Sequence, residues 1–152
     1  MFDVIVVGTD GSDTASYAVS KAIELANTCG ATLHIVHAHR LVSAAQMASA
    51  ATAGAPTFDI DNVNRGIEQQ SGVVLEQAAQ QAAAAGVKCE THAISGDAAD
   101  VLIDVASQVG AEVIVIGNRG MSGMRRILGS VPNKVAHHCT CSLLIVDTMH
   151  QA

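Results

Sequence analysis

The chain of 152 residues has no tryptophan, one tyrosine and two phenylalanines, so aromatic residues make up only 2% of it. Basic residues are also scarce: eight Lys+Arg stand against fourteen Asp+Glu, for a net charge of −6. Nucleic-acid binding draws on a basic footprint and, for single strands, on aromatic stacking platforms. With neither at hand, nucleic acid is not expected as a partner. Long apolar runs are missing too. Stretches such as residues 4–7 fall far short of the ~20 apolar residues of a membrane-spanning helix, so no membrane association is expected. The opening MFDVIVVG lacks the basic region of a secretory signal and leads directly into a strand-like run. Cys29, Cys89, Cys139 and Cys141 form no recognisable disulfide framework. Reduced thiols in a cytoplasmic protein are the expectation.

What is present is enough apolar material, 49% of the chain, to fill one core. Residues 1–152 are therefore read as a single domain. Continuous β-branched runs at 4–7, 113–116 and 143–146 read as buried parallel strands. Residues 32–37 and 87–94 are more mixed, as strands nearer an edge are. Helical patterns fall between them, at 14–29, 67–85, 98–109 and 131–138. Ser12 or Asp13, Asp97 and Ser130 are the candidate N-caps, and Gly30, Gly86 and Gly110 stand where left-handed C-caps belong. The alternation implies an α/β fold, an open sheet of five parallel strands with helices on both faces. Residues 41–62 break the rhythm. They are read as an irregular surface insert, flexible or closing over a ligand.

The densest chemistry lies in GNRGMSGMRRILGS, residues 117–130, which follows a core strand and opens a helix. Glycines allow backbone amides to crowd an anion, and a helix N-terminus favours negative charge. Gly129, Ser130 and Val131 would present such amides, and Arg119, Arg125 and Arg126 form the chain's densest positive cluster. Glycines also serve tight turns, but this run exceeds the needs of one turn. DVIVVGTDGS at 3–12 echoes EVIVIGNRGMSG at 112–123. If the two strands are neighbours, their carboxyl ends flank one crevice, where open α/β sheets bind ligands.

These pieces, with HIVHAH, GSVPNKVAHH and CSLLIVD, resemble the universal stress protein family along nearly the whole chain, and in particular its ATP-binding members. The family pattern Gly-x2-Gly-x9-Gly-Ser/Thr is matched by Gly117, Gly120 and Gly129-Ser130, with eight intervening residues in place of nine. The resemblance implies a Rossmann-like sheet of strand order 3-2-1-4-5 and a homodimer paired through the C-terminal strand. It implies nucleotide contacts at Gly8, Thr9 and Asp10, a backbone contact to adenine near Ala38, and Ile116 and Gly117 beside the ribose. Arg119, Gly120, Gly129, Ser130 and Val131 would lie by the phosphates. Asp10 could equally be a turn or capping residue.

HHCTC at 137–141 reads as a helix C-terminus followed by small apolar cysteines, and no metal site is expected there. His34, His37 and His39 are expected to share one face of a strand, with His37 or His39 against the adenine pocket. No nucleophile–base pair stands out, and the glycine loop lacks the lysine common in phosphoryl transfer. The reading is an ATP-binding regulatory module, with or without Mg2+, that holds its ligand and hydrolyses it slowly at most. The alternatives are a slow ATPase or phosphotransfer enzyme, and an AMP or cyclic AMP binder using the same pocket.

Overall fold

A computed structural model of the protein describes residues 1–118 and 128–148. Five parallel strands form one sheet in the order β3-β2-β1-β4-β5. They are β1 (Val4–Gly8), β2 (Thr32–His39), β3 (Cys89–Ser95), β4 (Val113–Gly117) and β5 (Ser142–Val146). This is the expected topology, and β1 and β4 are the expected neighbours.

Period two explains the two cores. Ile5, Val7, Leu33, Ile35, Val113 and Val115 face one side of the sheet. They meet Val19, Ala22, Ile23 and Ala26 of α1 (Asp13–Cys29) and Leu75, Ala78 and Ala82 of α3 (Ile60–Ala84). Val6, Val36, Ile114 and Ile116 face the other side, against Leu102, Val105 and Ala106 of α4 (Ala98–Val109) and Val135 of α5 (Ser130–His138). The central strands are buried on both faces, which is why they read as unbroken β-branched runs. Truncating a fully buried member such as Leu33 or Ile114 to Ala would cost about 2–5 kcal/mol.

The segment read as an irregular insert departs from that expectation. It holds a helix, α2 (Ala44–Thr52), opened by a capping box between Ser43 and Gln46. The long helix α3 then starts at Ile60, seven residues before the expected start, with Asp59 capping the amides of Asp61 and Asn62. Asn64 clamps the preceding chain, accepting from Val42 N at 2.8 Å and donating to Val42 O at 3.0 Å. Alanine propensity drives α2, which buries no residue, so no apolar stripe announced it. At the other elements the differences are small. Ser12, not Asp13, caps α1, and Gly30 and Gly110 take the left-handed C-cap, with φ of 70° and 67°. β3 starts at Cys89 instead of Val87. α5 is capped by Gly129, with Ser130 inside the first turn, so the expected Ser130 cap is not formed.

Candidate functional site

The carboxyl ends of β1 and β4 diverge into an open-mouthed cleft, at the switch point where open α/β sheets bind ligands. Gly8, Thr9, Asp10, Ser12, Thr14 and Ala15 form one wall, and Ile116, Gly117, Val131 and Pro132 form the opposite one. Val36 and Ala38 of β2 and Ala98 and Leu102 of α4 complete it.

Each wall has a local cause. A Cβ on Gly8 would stand 3.0 Å from Leu102 Cδ1, a side chain that itself lines the cleft. Gly117 is small for a different reason. Its missing Cβ faces Thr148 Cγ2 at 3.1 Å and Ala18 Cβ at 3.7 Å, so glycine lets the end of β4 settle against α1 and the segment after β5. Buried Thr9 donates its amide to Val36 O at 2.9 Å, tying the end of β1 to β2. The Asp10 carboxylate accepts from the Ser12 amide at 3.0 Å and from the Ser12 hydroxyl. Asp10 is therefore a turn residue and a cleft residue at once, and the two readings of it do not compete.

Across the cleft, α5 begins without a side-chain cap. Asn133 N donates to Gly129 O at 3.0 Å, and Pro132 has no N–H. Among the described residues, the amides of Ser130 and Val131 are thus the first-turn donors left for another acceptor. Gly129 has φ −59° and ψ 163°, a backbone open to any residue, so it is not required by handedness. Arg119 and Gly120, with Arg125 and Arg126, lie outside the described residues. Asn118, at the near end of that stretch, is anchored firmly: its side chain accepts from Thr148 N at 3.1 Å and Thr148 Oγ1 at 2.8 Å.

Asp10 is the one ionisable side chain among the described lining residues. Charges gather instead beside the cleft, where Asp97 meets Lys134 at 3.1 Å and Arg40 at 3.2 Å, and Lys134 reaches Asp100 at 2.8 Å. The Lys134 hydrogen bond, with the α4 amides, holds the Asp97 carboxyl below its usual pKa. Asp100 and Asp97 raise that of Lys134 in turn. The strand histidines do not line the cleft. His37 and His39 stack with ring centroids 6.3 Å apart, and His39 Nδ1 meets Ser71 Oγ of α3 at 3.2 Å. Burial first, and then His39, push His37 below the ordinary imidazole pKa, against the pull of Asp10. His34 projects to the opposite face and pairs with His92. His37 lies three positions further along the strand, an odd offset that reverses the face, so the shared face expected for all three does not exist.

A sequence profile of the Universal stress protein family matches residues 1–147. The chain belongs to the universal stress protein family. The universal stress protein YxiE of Bacillus subtilis is 34% identical over 147 residues, 96% of this chain and 99% of that protein. The crystal structure of a universal stress protein in complex with cAMP is 31% identical, with a TM-score of 0.72, covering 97% of this chain and 98% of that one. A universal stress protein of Archaeoglobus fulgidus in complex with dAMP shares the fold at 24% identity and a TM-score of 0.68, covering 95% and 98% of the two chains.

Of the site residues expected from the family's pattern, Gly8, Thr9, Asp10, Ala38, Ile116, Gly117 and Val131 meet in the cleft. Gly129 and Ser130 stand beside it at the start of α5. Sequence reading missed Ser12, Thr14, Ala15, Val36, Ala98, Leu102 and Pro132. Ser12 and Thr14 follow Asp10 so closely that the turn itself was a signal. Ala98 and Leu102 reach the cleft only because α4 packs over the strand ends.

Proposed function

We propose that this universal stress protein is an adenine-nucleotide-binding regulatory module, with the base in the small-residue slot near Ala38 and the phosphates at the start of α5. The observation that carries the reading is the pairing of an uncapped helix N-terminus with a backbone-lined cleft at the β1/β4 switch point. Such an end attracts anions through its amides and dipole. Ile116 and Gly117 would flank the ribose, and the Asp10 carboxylate would accept from a ribose hydroxyl. The one ionisable group of the described lining, the Asp10 carboxylate, is engaged by Ser12 in its turn, so we read the cleft as a holder with slow hydrolysis at most.

ATP, carrying its own Mg2+, is the reading that the arginines of the glycine loop support, because three cations suit outer phosphates. AMP or cyclic AMP is the second reading, supported by the cAMP-bound relative at 31% identity. Competition titration of ATP, AMP and cyclic AMP, with mass spectrometry of whatever nucleotide co-purifies, separates them. Adenine nucleotides binding no better than GTP would overturn both. A single-turnover rate above about 1 per second would restore an enzyme.

We also read β5 as the seam of a homodimer. It is a sheet edge with no Pro, Lys or Arg, and Leu144 is 40% exposed there. Such an edge is a template for strand pairing, which a two-fold axis satisfies on both copies. Light scattering at micromolar concentration should give a dimer, and Leu144→Lys should give a monomer.

A further inference from the structure

His34 and His92 meet at the far end of the sheet from the nucleotide cleft. His34 Nδ1 lies 3.0 Å from His92 Nε2 and 3.8 Å from Glu90 Oε2. One ligand atom from each of the three residues falls within 4.8 Å of the others. The register explains the meeting. Glu90 on β3 stands directly beside His34 on β2, and His92 follows two residues along the same face. His34 is buried, His92 half-buried and Glu90 exposed, so the cluster has a fixed floor and an open mouth. Ala38, four residues further along the same face of β2, is about 13 Å away at ~3.3 Å per residue.

We propose that His34, Glu90 and His92 form a binding site for one zinc-class divalent ion that ties the edge strand β3 to β2. Two imidazoles and a carboxylate are a ligand set that zinc accepts, with water completing the tetrahedron. Imidazole nitrogens select against Mg2+ and Ca2+, which prefer all-oxygen sites. Two nitrogens each ~2.05 Å from a tetrahedral zinc stand about 3.3 Å apart, so the pair at 3.0 Å needs to open by only a few tenths of an ångström. Glu90 needs only a change of rotamer, and its exposure allows one. Glu90 supplies the negative charge of the ligand set. In the metal-free pair one facing nitrogen carries a hydrogen. On metal entry that ring changes tautomer, losing this proton to water and regaining one at its other nitrogen, so both rings stay neutral. The fixed strand register makes this a preorganised site, whereas His137 and His138 are exposed neighbours on the last turn of α5.

The test is titration of the reduced full-length chain with Co2+, whose d–d bands report geometry and whose thiolate charge-transfer band would expose cysteine ligation. One equivalent should bind, without the thiolate band, and Zn2+ should displace it. Zn2+ at 100 times Kd should raise Tm by about 5–10 °C. His92→Gln should weaken binding by about 100-fold or more, and Glu90→Gln by about 10-fold. A control with both His137→Ala and His138→Ala should bind as the parent does. Absence of Co2+ uptake, a spectrum with thiolate ligation, uptake lost in that control, or His92→Gln binding like the parent would each overturn the site. If His92→Gln fails to fold by circular dichroism, Glu90→Gln decides. Its side chain is exposed, and unchanged affinity there would likewise overturn the assignment.

Discussion

Two helices bring their N-termini to the same cleft, α4 through Ala98 and α5 through Val131 and Pro132. They end differently. α4 is closed by its own chain: Asp97 accepts from the amides of Ala99 and Asp100 at 3.1 and 3.3 Å and also holds Lys134 and Arg40. Its orphan donors and its positive dipole end are answered by a carboxylate. α5 has glycine at the cap and, among the described residues, no side chain on its first amides. Ser12, Ser43 and Asp59 cap the other three described helices, so α5 is the exception among the described five. A glycine cap costs helix stability little, about a few tenths of a kcal/mol relative to Ser, Thr or Asp. In the proposed function a ligand phosphate would take the cap's place. The comparison sets a helix end closed by its own chain against one that the proposed function leaves open for a ligand.

The largest effect should come from blocking the open end. Gly129→Val is tolerated by the backbone, whose φ is −59°, but sets branched carbons where a phosphate would rest. Nucleotide affinity should fall by at least about 100-fold, ~2.7 kcal/mol, with circular dichroism and Tm near those of the parent. Isothermal titration showing parental affinity in a folded Gly129→Val protein would make the loop a structural turn and remove the proposed function. A smaller loss should follow from Ser130→Ala. Deleting one hydroxyl hydrogen bond to a charged group costs about 1.5–3 kcal/mol at most, and the backbone amide remains. Unchanged affinity there would assign the grip to amides alone.

The closed end should respond in the opposite manner. Asp97→Ala removes the cap of α4 and the partner of Arg40 and Lys134, so Tm should drop by about 2–5 °C. Nucleotide affinity should hold or rise slightly, because an anion beside the cleft is gone and Lys134 keeps only Asp100. A variant that keeps its Tm and loses binding would place Asp97 in the binding machinery and erase the distinction between the two ends.

The sequence showed much of this arrangement, and its gaps have physical reasons. β1 and β4 were legible because strands buried on both faces need no alternation; the echo between residues 3–12 and 112–123 raised the pair, and the family's strand order implied their adjacency. Asp97 was legible as a cap because it precedes an amphipathic helix. The bare cap of α5 was not, since Ser130 is a good capping residue and only the observed helix start moves it inside the first turn. α2 and the first turns of α3 escaped because they carry alanine and polar residues with almost nothing to bury, so periodicity had no signal there. The role of Leu102 and the meeting of Arg40, Lys134 and Asp97 depend on how α4 sits over the strand ends. His34 and His92 become partners only through the β2/β3 register, 58 residues apart in the chain.

The smallest expected effect separates the two ends by pH. The Asp97 carboxyl has its pKa lowered in the folded protein, first by the Lys134 hydrogen bond and then by backbone amides of α4. A lowered folded pKa means that the unfolded chain binds the proton more readily. The stabilisation is then complete above the unfolded value near 3.8 and is lost as pH falls through the lower folded value. Asp97→Asn keeps a capping oxygen but has no charge to titrate. Its Tm should lie slightly below the parent's by a constant margin from pH 8 to about pH 5, and the margin should shrink in stronger acid. Binding should follow a different course. α5 offers amides, which do not titrate, so affinity for cyclic AMP, whose single phosphate charge is fixed in this range, should be flat from pH 8 to pH 6. Thermal melts of the two proteins across pH, beside cyclic AMP titrations, check both halves. A Tm margin that closes already between pH 6 and pH 5 would show that the carboxylate is not held by Lys134 and α4 in the way the geometry indicates.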